Sequence, residues 1–275
     1  MKLTVRGVPV HYLDEGEGRP VLVLHGRPGD HRGVSNALEL VFAAKPGWRR
    51  IYPDFPGMGL TPGADWIRTH QDTVDLVVEF ADALLAGEHV ALVGSSYGGY
   101  IALGVVRRRA ARLTGVALWV PAVDGPSSRL DLPEHRVFER DAATVASVLP
   151  DEQLWLQVAT VQTAETLARF RSSIKPGLMS SDMAFLEQIE VSDPDGFDAT
   201  DLPVPVTVPA LLIGGRQDSL VGYAGMVRLL ESFPRATLAV LDRAGHPVST
   251  EQRVLFEALV GEWLDRVEET IPSAD

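Results

Sequence analysis

The sequence contains no cysteine. That excludes disulfides, thiolate metal centres and a cysteine nucleophile, and it fits a reducing compartment. No stretch approaches the roughly 20 consecutive apolar residues that a membrane-spanning helix needs. Basic residues are in deficit, 25 Lys and Arg against 37 Asp and Glu, giving a formal net charge of -12. This balance argues against a general affinity for nucleic acid or anionic membrane, whose phosphates attract basic faces. Small neutral or cationic molecules remain as partners. The opening stretch MKLTVRGVPVHYLDEGEG alternates apolar and polar residues and lacks the apolar centre of a secretory signal. It reads as strand, and the expected location is the cytoplasm.

What is present is the composition of an ordinary globular chain, 45% hydrophobic and 23% charged over 275 residues. Residues 3–5 and 10–13 read as paired strands joined by the turn RGVP. VLVLHG, at 21–26, is short and continuously apolar, as a strand buried on both faces of a parallel sheet should be. A helix near 34–44, a strand ending at Pro53, an amphipathic helix over 71–86, a strand at 89–93, a helix opened by Gly98 and a strand at 113–120 follow in alternation. Such an order predicts an α/β sheet. From 122 to 206 the rhythm changes to helical stretches around 154–159, 165–170 and 183–189. Alternation returns with a strand at 208–215, a helix at 224–232, a strand at 236–241 and a last helix near 251–267. The middle therefore reads as a helical insertion into one α/β domain.

The stretch VALVGSSYGGYIALG packs Gly94, Ser95, Ser96, Tyr97, Gly98 and Gly99 between a strand and a helix. Gly94 to Gly98 matches G-x-S-x-G, in which small residues two before and two after the serine let the helix return close to the strand. The turn would hold the Ser96 hydroxyl above the sheet. A serine needs a base to take its proton, and the base needs an acid to orient it. Asp218 and His246 each lie just past the end of a later predicted strand, where the ligand sites of α/β sheets gather. Three reactive residues in the order serine, aspartate, histidine point to nucleophilic catalysis. Asp124, after the strand at 113–120, is the competing acid. The backbone N–H of Tyr97 and, from the loop after VLVLHG, that of Arg27 are the expected donors to a developing oxyanion. His25 and Asp54 read as structural.

Taken in order, HGRPG, DFPGMG, GSSYGG, GRQD and AGHPVSTEQ resemble the marks of the α/β-hydrolase superfamily along essentially the whole chain. HGRPG is similar to the HGGPG loop of the proline-iminopeptidase-like branch, with Arg27 in place of a glycine. The layout is also similar to the C–C bond hydrolases of aromatic degradation, which usually carry tryptophan just after the catalytic histidine, where this chain has Pro247 and Val248. The resemblance implies a mostly parallel eight-stranded sheet flanked by helices, with a helical cap inserted after the sixth strand. The expected core is 1–121 and 207–275, and the expected cap is 122–206. It further implies a serine hydrolase acting on a small acyl substrate through Ser96, Asp218 and His246, with neither metal nor organic cofactor. Alternatives are an aminopeptidase in which Glu165, Glu187 or Glu190 holds a substrate amine, a C–C bond hydrolase, and a small-molecule receptor with a retained triad. Trp155, Phe170, Met179 and Phe185 are the expected apolar lining of the substrate pocket.

Overall fold

The structure, a computed structural model, describes residues 1–125, 132–202 and 205–270. The parts of the expected cap and core at 126–131, 203–204 and 271–275 lie outside the described residues. Strands β1 (Lys2–Val5) and β2 (Val8–Glu15) form a hairpin whose turn residues Arg6 and Gly7 both take positive φ, as a two-residue type I′ turn requires. Then β3 (Arg19–Leu24), α1 (Arg32–Ala44), β4 (Trp48–Pro53), α2 (His70–Leu85), β5 (Val90–Ser95), α3 (Tyr97–Arg109) and β6 (Leu113–Trp119) alternate along the chain. The segment that follows carries short elements. These are β7 (Glu139–Arg140), α4 (Ala142–Ala146), α5 (Gln153–Val158), β8 (Val161–Gln162), α6 (Ala164–Arg169), a π-helical turn at Phe170–Ile174, α7 (Lys175–Ser180) and α8 (Met183–Ser192). The sheet resumes with β9 (Ala210–Gly215), α9 (Ala224–Leu229), β10 (Ala236–Leu241), α10 (Val248–Glu251) and α11 (Arg253–Thr270).

Eight strands form one sheet in the order β1-β2-β4-β3-β5-β6-β9-β10. The pairs β1–β2 and β2–β4 are antiparallel, and the others are parallel. Alternate residues of the central strands feed two cores. Leu22, Leu24, Leu92, Leu118 and Leu212 face Val74, Val77, Ile101 and Leu229 of α2, α3 and α9. Val21, Val23, Ala91, Val93, Leu211 and Ile213 face Leu38, Phe42, Phe256, Trp263 and Leu264 of α1 and α11. Burial on both faces is why these strands read as continuous apolar runs. From β3 the chain passes to β4 on one side and then to β5 on the other. The carboxyl ends of β3 and β5 thus border the point where strand order reverses, the usual place for a ligand site. Among the described residues no helix is long and apolar enough to cross a membrane.

Asp54, just past β4, ties three separate pieces of chain together. Its Oδ1 accepts from the backbone N–H and the Nδ1–H of His31, and its Oδ2 from the Nδ1–H of His11 on β2 and the N–H of Leu60. Burial alone would push its carboxyl up, but the His31 and Leu60 hydrogen bonds and the neighbouring imidazoles outweigh it and hold it well below the ordinary range. A folded-state pKa below the unfolded one means that this stabilisation is complete above about pH 5 and is lost progressively as pH falls below the unfolded value of roughly 3.9 towards the lower folded one. Asp54→Asn is expected to cost about 3–5 kcal/mol at pH 7, as loss of one partner of a buried network does. In urea titrations the gap between the two proteins should narrow between about pH 5 and 3. An equal gap at both ends would mean that the carboxylate charge plays no part.

Candidate active site

Ser96 follows β5 directly and stands at φ 54 and ψ -119, a left-sided conformation that β-carbon residues avoid and that carries a strain of about 1–3 kcal/mol. Its N–H bonds to Trp119 O, and its carbonyl accepts from Gly99 and Tyr100 at the start of α3. The strain is held in place by close backbone packing. A Cβ on Gly94 would come within 2.5 Å of Gly98 O, and one on Gly98 would collide with the carbonyls of Leu24 and His25. Only glycine lets α3 return over the ends of β3 and β5.

Ser96 Oγ lies 3.0 Å from His246 Nε2, and His246 Nδ1 lies 3.0 Å from Asp218 Oδ2. A carboxylate only accepts, so Nδ1 carries the ring proton and Nε2 turns its lone pair to the serine hydroxyl. Asp218, fully buried, is fixed in turn by the N–H groups of Leu220 and Val221 on its Oδ1. The three residues sit past the ends of β5, β9 and β10. Asp124, the competing acid, is instead ion-paired with Arg228.

No acceptor among the described residues takes the N–H of Arg27 or Tyr97, and both residues border the cavity in front of Ser96. The Arg27 side chain has a place of its own that the sequence reading did not supply. It is 8% exposed, reaches Glu190 Oε1 at 2.7 Å and Leu186 O at 2.6 Å, and lies over the Tyr97 ring. His25 has both ring nitrogens committed to backbone. Its Nδ1–H donates to Gly26 O at 2.7 Å, and its Nε2 accepts from Phe55 N–H at 3.0 Å. Burial pushes its pKa down and keeps the ring neutral, so it holds the loop and is not placed to move protons.

The cavity has a volume of about 1010 Å³. Of the four residues expected to line the pocket, Trp155 and Phe170 border this cavity, and Met179 and Phe185 do not. Met179 is on the outer face of α7, 67% exposed, and its neighbour Leu178 faces inward. The Phe185 ring is pressed against Gly57 and Gly63, where a Cβ would overlap it, and the next residue, Leu186, faces the cavity. Val158, Leu154 and Ile174 also contribute to the apolar wall. Of the three glutamates considered for an amine, Glu165 is turned to Arg169 and Arg253 outside the cavity, while Glu187 and Glu190 border it. Among the described residues, His11, His31 and Asp54 form the group close enough to share a metal ion. Each Asp54 oxygen already accepts two hydrogen bonds, so the carboxylate is saturated without one.

The profile of the alpha/beta hydrolase family matches residues 21–259. The chain belongs to that family. A 2-hydroxymuconate semialdehyde hydrolase from Pseudomonas sp. (strain CF600) is 27% identical over 267 residues, spanning 96% of this chain and 93% of that protein. A cis-3-alkyl-4-alkyloxetan-2-one decarboxylase from Shewanella oneidensis is 32% identical over 277 residues, spanning 89% and 81%. The crystal structure of an alpha/beta superfamily hydrolase from Oenococcus oeni PSU-1 superimposes with a TM-score of 0.84 at 23% identity, over 94% of this chain and 96% of that one. The family assignment and the hydrolases among its relatives make this chain a hydrolase.

The close packing around the hydrolase's serine turn has a measurable consequence. Gly98→Ala forces a Cβ into backbone carbonyls and should lower stability by about 1–3 kcal/mol or more, as overpacking does. Gly26→Ala meets Ser96 Cβ at an ordinary 3.4 Å and should unfold within about 1 kcal/mol of the parent. Thermal melts of the pair test this, and equal melting points would contradict the packing argument.

Proposed function

We propose that the protein is a serine hydrolase that cleaves a small acyl substrate through an acyl-enzyme. The observation that carries the reading is the unbroken chain Ser96–His246–Asp218, with both links at 3.0 Å. Ser96 Oγ attacks the substrate carbonyl as its proton passes to His246 Nε2, and Asp218 stabilises the imidazolium through Nδ1. Negative charge on the carbonyl oxygen is met by the N–H groups of Arg27 and Tyr97, whose backbone role is indifferent to the arginine side chain. His246 then returns the proton to the leaving group, and a water activated by the same ring releases the acyl group. No metal or organic cofactor enters this sequence of steps. The segment 122–206 serves as a cap that encloses the acyl chain between Trp155, Val158, Phe170 and Leu186. Because one methylene in an apolar pocket discriminates by only about 1–3 kcal/mol, related acyl groups should be accepted together. The protein's site of action on this reading is the cytoplasm.

A second reading, C–C bond hydrolysis, draws support from the hydroxymuconate semialdehyde hydrolase, similar over 96% of this chain. Pro247 and Val248 after His246 favour the ester reading over it. For the aminopeptidase reading, Glu190 is engaged by Arg27 and Glu165 lies outside the cavity, which leaves Glu187 as the carboxylate to hold an amine.

A fluorophosphonate probe should label Ser96 rapidly, and Ser96→Ala should lose at least about ten-thousandfold in kcat on a short-chain 4-nitrophenyl ester. Its thermal unfolding should shift by less than about 1 kcal/mol. Hydrolysis by purified Ser96→Ala near the parent rate would remove the serine from its role. A panel comparing that ester with a dienol ketone acid and an amino-acid arylamide separates the three readings.

A further inference from the structure

The carboxylate of Glu251 holds four donors from two parts of the chain, and the reaction described above makes no use of it. Glu251 ends α10 and borders the cavity. Its Oε1 accepts from the N–H groups of Thr160 at 2.5 Å and Val161 at 3.0 Å. Its Oε2 accepts from the N–H of Gly245 at 2.7 Å and the hydroxyl of Thr160 at 3.0 Å. Three donors thus belong to the segment between β6 and β9, and the fourth to the residue before His246. Only an ionised carboxyl supplies acceptors in all these directions, since an amide would aim its own N–H at other N–H groups. Burial holds the Glu251 carboxyl above its ordinary range, although the Gly245, Val161 and Thr160 bonds act in the opposite sense. The group is kept there against the cost of burying it.

The peptide before His246 is confined on both sides. A Cβ on Gly245 would come 2.8 Å from Val158 O and 2.9 Å from Thr160 Cγ2, so the loop abuts the inserted segment. On its other side Gln217, next to Asp218, takes Ala244 N–H at 3.1 Å and gives its own N–H to Ala244 O at 2.9 Å. On the side of the insertion the contact of Gly245 runs through the charged Glu251 carboxylate. The imidazole must keep two bonds at 3.0 Å, one to each partner, and displacement of a reacting group by about 1 Å costs on the order of a hundredfold.

We propose that Glu251 is a positioning residue for His246, fastening the histidine loop to residues 158–161 so that the seating of the insertion sets the alignment of the base. This rests on the serine-hydrolase reading. The test is kinetics of Glu251→Gln on a 4-nitrophenyl butyrate substrate, with active sites counted by fluorophosphonate titration so that unfolded protein does not contribute. The expected result is a fall in kcat per titrated site of about 10- to 100-fold with KM within about threefold, and partial recovery in Glu251→Asp, which restores the carboxylate. A fall of less than about fivefold, or a change confined to KM, overturns the proposal, since a mere wall residue or a general destabilisation gives those results. If Glu251→Gln does not fold, Thr160→Val removes one donor at constant size and should lower kcat per site about threefold or more, while an unchanged kcat overturns the proposal. Failure of the underlying reading is separately visible: there Ser96→Ala keeps its activity, whereas failure of the present inference leaves Ser96→Ala inactive and Glu251→Gln fully active.

Discussion

The site depends on how closely α3 returns over the ends of β3 and β5. With glycine at 94 and 98 the helix backbone reaches carbonyls that any side chain would push away, and the serine between them is forced to a positive φ. The strain is the geometric result of a short connection between two well-packed elements, and the two cores that flank the sheet supply the energy that holds it. A serine in relaxed backbone would lie down along the helix. Here its hydroxyl stands in front of a cavity with a histidine 3.0 Å away.

Among the contacts that attach the inserted segment around that fixed point, two border the cavity and use different chemistry. On one side a guanidinium from the loop after β3 grips the end of α8 through Glu190 and a backbone carbonyl. On the other, a carboxylate from the end of α10 grips the backbone before β8. Both charges come from the core: Arg27 is itself a proposed oxyanion donor, and Glu251 lies five residues past His246, the proposed base. The walls of the cavity and the chemistry at its floor therefore share their supports.

Much of this was legible in the sequence, for definite reasons. Strands buried on both faces have no polar side, so VLVLHG, VALVG and VPALLIGG stand out as apolar runs. Ser96 and Asp218 stand out because each follows such a run, and His246 because it follows the next predicted strand, ATLAVL, at the edge of the sheet. The lining was less legible. On a helix of six residues such as α7 there are too few turns for a periodic pattern, and whether Leu178 or Met179 faces inward is decided by what packs on either side. Phe185 was drawn off by the flat space above Gly57 and Gly63, distant in sequence and unmarked there. Arg27 was read for its backbone alone, and Glu251 only as the start of the last helix. A charged side chain announces its partner only when the fold brings the two together.

The serine and the histidine of the site are 150 residues apart along the chain. Closing a loop of that length carries an entropic cost that local structure cannot repay, so the pair can form only after the intervening strands have taken their places in the sheet. No hairpin or single helix contains the three residues of the proposed centre, which follow β5, β9 and β10. Loss of the chemistry on heating should therefore track cooperative melting of the sheet itself, which makes turnover a reporter of the whole architecture.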